Sequence, residues 1–274
     1  MRPLAIAGEG HPFDTPAVHG TPAGIVTAST AARASPICED VRMAYDASNL
    51  PDVSGLTVGI VGGTGDQGHG LAYRFARAGQ TVLIGSRSAE RAAQSAAEIA
   101  ALPGVSADAS VTGAANEEVA RRSDVVIVAV PWDGHASIVG ALAEPLAGKI
   151  VIDCVNPLGF DKQGPYALTV AEGSAVQQAA ALLPQSRVCA AFNHVSAPLL
   201  ADPQIDRIEL DVLICTEERE LAGIVGALAA RIPGMRGIYA GRLRNAHQIE
   251  ALTANLIAIN KRYKAHAGIR VTDL

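Results

Sequence analysis

The run Gly63-Thr64-Gly65-Asp66-Gln67-Gly68 carries the clearest chemical pattern in this chain. It follows an apolar stretch at 56–63 that is typical of a buried strand and precedes a helix expected over 67–79. In a G-x-G-x-x-G motif the first glycine permits a tight turn, the second lets the backbone approach a pyrophosphate, and the third lets the helix pack on the strand. The N–H groups that open the helix then face the phosphates. The motif predicts a dinucleotide site, against the alternative of an ordinary glycine-rich turn.

The end of the next expected strand, 81–85, bears on which dinucleotide binds. NAD sites usually have an acidic residue here to hold the ribose 2′-hydroxyl, but this chain has Gly85-Ser86-Arg87. A hydroxyl and a guanidinium would bind a 2′-phosphate, and Arg91, one helical turn further on, can reach the same group. We therefore expect NADP rather than NAD. The alternative is that Ser86 caps the next helix and Arg87 is a solvated charge.

A third group of residues follows the apolar run 124–131, which leads into Val130-Pro131-Trp132. The carboxyl ends of parallel strands line the ligand crevice, so the single Trp of the chain either flanks a nicotinamide or anchors a loop. The segment 133–137 contains Asp, His and Ser, but a hydrolytic triad is assembled from separate elements rather than from one loop. Asp133 is interpreted as a helix cap.

The cysteines and histidines show no spacing typical of metal ligands, and no metal site is expected. Cys154, Cys189 and Cys215 lie in apolar runs, whereas Cys38 does not. The three are interpreted as inert core residues of a protein in the reducing cytoplasm.

The elements that must position these residues alternate between strand and helix. Strands are expected at 56–63, 81–85, 108–112, 124–131, 149–155, 187–192, 210–216 and 235–240, with helices at 67–79, 88–101, 115–121, 134–143, 173–183, 217–231 and 242–263. The strands are apolar throughout, as in sheets covered on both faces by helices. The predicted fold is α/β: a Rossmann-type doubly wound parallel sheet with a small C-terminal α/β domain.

Composition suggests three regions in the 274 residues. Residues 1–54, which lack helical or strand periodicity, are expected to be a disordered or loosely attached extension. Residues 55–192 form the expected dinucleotide domain, and 193–274 the small C-terminal domain. The net charge of −5, without a basic block, argues against nucleic-acid binding. No apolar run is long enough for a membrane span, and the N-terminus is a poor signal peptide.

With these residues in hand, the chain resembles the NADPH-dependent reductases of coenzyme F420, a 5-deazaflavin. The resemblance covers about 56–274 and rests on the segments GIVGGTGDQGHGLAYRFARAG, VLIGSRSAERA, VVIVAVPW, CAAFNHVSA and LRNAHQIEALTANLIAINKRYKAHAGIRV. It implies direct hydride transfer between the nicotinamide C4 and the deazaflavin C5, with NADP along the Rossmann crevice and the deazaflavin under the C-terminal domain.

The resemblance also implies roles for individual residues. The pyrophosphate would be held by Thr64, Gly65, Asp66 and Gln67, and the 2′-phosphate by Ser86, Arg87 and Arg91. The nicotinamide would be bordered by Val130, Pro131, Trp132, Asn156 and Leu158. The deazaflavin would be bordered by Asn193, His194, Ser196, Ala197, Leu243 and Asn245.

Both redox centres would belong to cofactors, so the protein need supply only position, stacking and water exclusion. His194 is the one weak candidate for a proton donor. Two alternatives stay open: an imine- or β-hydroxyacid-type reductase that uses NADPH, and a non-catalytic NADP-binding protein. The apolar stripe of the last helix, Ile249, Leu252, Leu256 and Ile259, is compatible with a homodimer but also with an internal core.

Overall fold

The computed structural model describes residues 49–274, which build one eight-stranded sheet and a separate hairpin. Its strand order is β10-β9-β8-β5-β4-β1-β2-β3. The sheet strands are β1 (Thr57–Val61), β2 (Thr81–Ser86), β3 (Val111–Ala115), β4 (Val125–Val128), β5 (Ile150–Asp153), β8 (Arg187–Ala190), β9 (Leu210–Thr216) and β10 (Met235–Gly241). Every pairing is parallel except β8 with β9. The predicted Rossmann-type α/β fold is confirmed, and the one antiparallel pairing joins β8, at the end of the expected dinucleotide region, to β9 of residues 193–274.

The helices cover both faces of the sheet. They are α1 (Asp66–Arg77), α2 (Ala89–Ala100), α3 (Asn116–Arg122), α4 (His135–Ala141), α5 (Ala175–Leu182), α6 (Ala197–Ala201), α7 (Arg219–Ala230) and α8 (Ala246–Tyr263). Sequence periodicity did not predict the short α6 or the hairpin β6 (Leu158–Asp161) and β7 (Gly164–Ala167). These elements are too short for a hydrophobic period to stand out.

Two apolar clusters flank the sheet and explain why its strands lack alternation. Alternate residues of one strand enter opposite clusters: Ile127 packs with Ile60 and Ile152 in one, and Val126 and Val128 lie in the other. A strand buried on both faces needs apolar side chains at every position.

The chain on either side of the dinucleotide region is tied into the same fold. Residues 193–274 contribute β9 and β10 to the common sheet, and their description as a domain of its own remains a prediction. Residues 1–48 of the expected extension lie outside the described residues. Within 49–54, Val53 is buried in the core, and its carbonyl accepts a hydrogen bond of 2.8 Å from the Gln80 amide.

Arg74 on α1 fixes the position of α6. Its guanidinium is 3% exposed and donates to the carbonyls of Leu199, Leu200, Asp202 and Ile205, with Nε 2.8 Å from the Leu200 oxygen. These carbonyls close α6, so one buried cation satisfies a helix end that would otherwise lack partners. The loop that precedes α6 is thereby held against α1.

The close approach of β3 to α2 requires a glycine at position 113. A Cβ there would lie 2.1 Å from the carbonyl carbon and oxygen of Ala92. We expect Gly113→Ala to lower the free energy of unfolding by at least about 1–3 kcal/mol, because the backbone of α2 or β3 must move. Gly223→Ala is the control, because a Cβ on that α7 residue meets nothing within 4 Å and should stabilise by about 0.5–1 kcal/mol. Urea unfolding of both variants measures this, and equal stabilities would contradict the packing described.

Candidate active site

A cleft of about 1170 Å³ opens where β1, β4, β5 and β8 end. Parallel strands place their carboxyl ends at one edge of the sheet, which is where ligands bind in such folds. Most of the predicted site residues line this cleft: Gly65, Asp66, Gln67, Val130, Pro131, Trp132, Asn156, Leu158, Asn193, His194, Ser196 and Ala197.

The glycine loop has the predicted strand–turn–helix context. Gly63 N donates to the Gly85 carbonyl at 2.9 Å, and α1 begins at Asp66. A Cβ on Gly68 would lie 2.7 Å from the Gly63 Cα, so only glycine allows this helix so close to β1. The left-handed backbone of the turn belongs to Gly62, with φ +77°. Thr64 lines a smaller adjoining pocket with His69.

The residues expected to hold a 2′-phosphate lie at the end of β2, outside the lining of the main cleft. Ser86 is buried, and its hydroxyl accepts a hydrogen bond from Ser88 N at 3.3 Å. The cap of α2 is Ser88, whose oxygen accepts from Arg91 N at 3.3 Å, so Ser86 does not cap the helix. The guanidinium groups of Arg87 and Arg91 are exposed, and neither forms an ion pair with a carboxylate of residues 49–274.

The segment after β4 forms a 3-10 turn, Trp132–Gly134, before α4. The Trp132 ring is stacked on His135, with centroids 5.4 Å apart and an interplanar angle of 29°. The interpretation of Asp133 as a helix cap was wrong, because Gly134 occupies that position and no side chain caps α4. Ser137 donates to the Gly134 carbonyl at 3.0 Å rather than pairing with His135, so these residues do not form a triad.

The loop after β8 is held from three sides. The Asn193 carbonyl accepts from Asn156 Nδ2 at 2.7 Å and from Thr253 Oγ1 of α8 at 3.1 Å. Gln67 of α1 donates to the carbonyl of Phe192, whose backbone is left-handed with φ 64°. The glycine loop, the β5 loop and α8 therefore meet on two consecutive carbonyls, which fixes one wall of the cleft.

Three buried polar atoms of cleft residues have no partner within residues 49–274: Asn156 Oδ1, Asn193 Oδ1 and His194 Nδ1. Unpaired buried polar atoms are costly and call for an explanation such as a ligand. His194 Nε2 accepts from Leu213 N at 3.2 Å, so the neutral ring carries its proton on Nδ1. Burial lowers the pKa of His194 to about 4, which opposes a role as proton donor near neutral pH.

The expected contribution of the turn Leu243–Asn245 was wrong, since it lies at the far end of α8 from the cleft. There Leu243 packs into the core cluster and its N–H bonds to Glu217. Later residues of α8 and its C-terminal extension line the cleft instead: Thr253, Leu256, Ile257, Asn260, Lys261, Lys264 and His266. The signal for these residues in the sequence is that polar side chains interrupt the apolar stripe of α8. It was missed because the stripe itself indicates a packed face.

The described part of the chain was also examined for other kinds of site. Within residues 49–274 no group of three His, Cys, Asp or Glu side chains could hold a metal ion. Among the helices of the same range, none combines the length and apolar character that crossing a bilayer requires. Cys154, Cys189 and Cys215 are free and buried, and burial raises the pKa of each thiol, to about 11 for Cys215. Cys38 lies outside the described residues.

The buried neutral ring of His194 makes stability depend on pH. Its folded pKa of about 4 lies below the unfolded value of about 6.5, so the unfolded chain takes up the proton first as pH falls. The free energy of unfolding should therefore drop by about 2 kcal/mol from pH ~7.5 to ~5 through this group alone. In His194→Gln this contribution should be absent, as measured by urea unfolding at both pH values. Exposed His247→Gln is the control and should keep the wild-type dependence; equal behaviour of both variants would contradict the assignment.

Known proteins share this arrangement. Residues 57–157 match the family model of coenzyme F420-dependent NADP oxidoreductases. The chain is 38% identical over 224 residues to the F420-dependent NADP reductase of Methanothermobacter thermautotrophicus, a match that covers 80% of this chain and 96% of that protein. For the enzyme of the same name from Methanocaldococcus jannaschii the values are 37% over 225 residues, 80% and 99%. A solved structure of a candidate F420-dependent NADP reductase from Arthrobacter sp. FB24 superposes with a TM-score of 0.65 at 26% identity, covering 80% of this chain and all of that one.

Residues 57–157, which match the family model, contain the glycine loop, the β2 end and the loops that follow β4 and β5. The identity is 38% over four fifths of this chain, and the match extends along nearly the whole length of the relative. Identity at this level and coverage is typical of members of one family. The chain therefore belongs to the family of F420-dependent NADP reductases.

Proposed function

We propose that this protein is an oxidoreductase that transfers a hydride between NADP(H) and coenzyme F420 in the cleft at the strand ends. The observation that carries the proposal is the 38% identity, over 80% of the chain, to a reductase with this activity in its name. The cleft has room for two stacked ring systems, with a volume of about 1170 Å³. When bound, the two cofactors supply the chemistry, since the hydride leaves C4 of the nicotinamide and arrives at C5 of the deazaflavin.

The glycine loop and the β2 end are assigned to NADP. The start of α1 directs free N–H groups and a partial positive charge toward the pyrophosphate, which Thr64, Gly65, Asp66 and Gln67 would border. Support for a 2′-phosphate comes from Ser86 together with the exposed cations Arg87 and Arg91 beside it. A carboxylate, which would repel that phosphate, is absent from the Gly85-Ser86-Arg87 turn.

The two walls of the cleft are assigned to the reacting rings. Val130, Pro131, Trp132, Asn156 and Leu158 would border the nicotinamide. The deazaflavin would lie against Asn193, His194, Ser196, Ala197 and the cleft-facing side of α8. The unpaired Asn156 Oδ1, Asn193 Oδ1 and His194 Nδ1–H fit polar edges of such rings, because a bound heterocycle would satisfy them.

This chain needs no general acid or base for the reaction. Hydride transfer requires the two rings at short distance, in the right orientation and out of water, and the rigid loop after β8 provides that placement. His194 stays neutral and would orient the deazaflavin by donating from Nδ1, without giving up its proton.

We further propose that the protein works in the cytoplasm on small-molecule cofactors, without a nucleic-acid partner, and as a homodimer. The free buried thiols support a location in the cytoplasm, and the net charge of −5 supports the absence of a nucleic-acid partner. Exposed apolar side chains on the β6–β7 hairpin and at the end of α8 support the homodimer: Phe160 is 68% exposed and Tyr263 73%. Such side chains are typical of an interface when they cluster.

The first prediction is rapid loss of the absorbance of oxidised F420 on mixing with NADPH and purified protein, with little loss when NADH replaces it. Deuterium at C4 of labelled NADPH should appear at C5 of the reduced deazaflavin, because the transfer is direct. If NADPH protects the protein against unfolding but F420 stays oxidised, the hydride-transfer proposal fails. Turnover with imine or carbonyl substrates would then identify the other reductase class, and no turnover a non-catalytic NADP-binding protein.

The second prediction concerns Arg87→Glu. Replacing the cation by a carboxylate removes a charge-assisted contact with the 2′-phosphate and adds repulsion, so KM for NADPH should rise about 30-fold or more, equivalent to about 2 kcal/mol. KM for NADH, which lacks that phosphate, should change less than about threefold. The control is Arg219→Glu, the same charge change at an exposed position on α7. Equal losses for both nucleotides would refute the role of Arg87.

A further inference from the structure

A buried histidine lies directly behind the cleft. The side chains of His135 and Asp153 are 0% and 1% exposed, and His135 Nε2 lies 2.7 Å from Asp153 Oδ2. The other ring nitrogen, Nδ1, lies 2.9 Å from Gln178 Oε1. The amide of Gln178 is oriented by its Nε2, which donates to Glu172 at 3.3 Å. Both nitrogens of His135 therefore face oxygen acceptors.

This geometry favours a doubly protonated ring, because only an imidazolium donates from both nitrogens at once. The charged groups around it come from three elements: Asp153 at the end of β5, Glu172 before α5, and Glu250 on α8. All three are acidic, and no cation of residues 49–274 forms an ion pair with Asp153 besides His135. Burial lowers the pKa of His135, but the hydrogen bond and charge of Asp153 outweigh it and raise the pKa overall.

The remaining member, Glu250, is 2% exposed and accepts from Ala175 N at 2.9 Å and Val176 N at 3.2 Å. Burial raises the pKa of Glu250 to about 7, although these two hydrogen bonds lower it. A proton on Glu250 reduces the local negative charge without changing the contacts of either ring nitrogen of His135, which are with Gln178 and Asp153.

The same ion pair contacts two segments of the cleft wall assigned to the nicotinamide, the β4 end and the β5 end. The His135 ring stacks on Trp132, which lines the wall formed by the β4 end. Asp153 Oδ1 accepts from Val155 N at 2.9 Å, and Val155 lines the wall formed by the β5 end. An imidazolium against an indole face is a cation–π contact, which is stronger when it is desolvated. The cation thus couples an aromatic ring on one side to a backbone turn on the other.

We propose that His135 is a positioning residue that, as a buried imidazolium paired with Asp153, sets the Trp132 ring against the reacting part of the cleft. It touches neither cofactor and acts through Trp132 and through the Val155 turn. Its consequence for turnover rests on the proposed function, but its charge and its contact with Trp132 do not.

The emission of the wild-type protein tests the charge directly. Trp132 is the single Trp of the chain, and an imidazolium stacked on an indole quenches its fluorescence far more than a neutral imidazole does. Emission should be weak at pH ~6.5, where a free imidazole is half neutral, and any rise that depends on His135 should come at higher pH, because Asp153 raises the pKa of His135 above its ordinary value. A rise in emission with a midpoint at or below pH ~6.5, lost in His135→Gln, would show a neutral ring and overturn the proposal.

Two variants test the pairing. His135→Gln removes the cation and should raise Trp132 emission at least about twofold, while the exposed control His247→Gln should leave it unchanged. Asp153→Asn keeps the ring but removes its counter-charge, so burial is left to lower the pKa of His135 and the emission should acquire a titration at lower pH than any in the wild-type protein. If His135→Gln does not fold, the wild-type and Asp153→Asn measurements still decide the question. Unchanged, pH-independent emission in Asp153→Asn would overturn the pairing.

The kinetic arm separates positioning from general stability. In His135→Gln, kcat should fall about tenfold with KM for NADPH changing less than about threefold, since misplaced walls disturb the reacting geometry more than the binding of the nucleotide. Combining it with Trp132→Ala should add less than about a twofold further loss, because His135 acts through that ring. Fully multiplicative losses would overturn the positioning role. Wild-type protein without F420 turnover would refute the proposed function, and the emission results would then decide the claim about His135.

Discussion

The parallel hydrogen bonding of β1 with β4, of β4 with β5 and of β5 with β8 is the constraint from which the site follows. Parallel strands must end at the same edge of the sheet, so each connection must cross back over a face of the sheet before the next strand begins. The loops after these four strands are therefore brought side by side, although 123 residues of sequence, 69–191, separate the glycine loop at 62–68 from the loop at 192–197. The cleft is a product of this topology.

Within that frame, backbone carbonyls rather than charged side chains hold the cleft together. Asn156, Thr253 and Gln67 converge on the carbonyls of residues 192 and 193, and Arg74 closes the helix that follows. Three buried polar atoms at the cleft have no hydrogen-bond partner within residues 49–274. This pattern suits an enzyme whose cofactors carry both redox centres, because rigid placement and exclusion of water are what the reaction requires. The buried pair of His135 and Asp153 adds a second layer of support behind the same walls.

Much of the fold and about half of the site could be predicted from the order of residues. Strand and helix existence followed from hydrophobic runs and helical spacing, and the glycine loop with its Ser86-Arg87 neighbour followed from local chemistry. The short elements β6, β7 and α6 were missed, because four or five residues carry too little periodicity. The antiparallel pairing of β8 with β9 was missed because strand direction depends on the path of the intervening chain. On α8 the wrong end was expected at the cleft, since the sequence specifies a helix but not which turn of it meets the loop after β8.

The sequence by itself determined what each segment can do locally: a buried strand, a helix opening onto a phosphate, a turn that favours a 2′-phosphate over a free hydroxyl. These properties depend on neighbours within a few residues, so they can be read in one dimension. Only the tertiary structure decided which atoms remain unpaired at the cleft, why His194 is neutral, and why His135 faces two acceptors. Those properties depend on burial and on partners that lie 18 to 43 residues away in the sequence. Desolvation of a buried group has no counterpart in an unfolded chain.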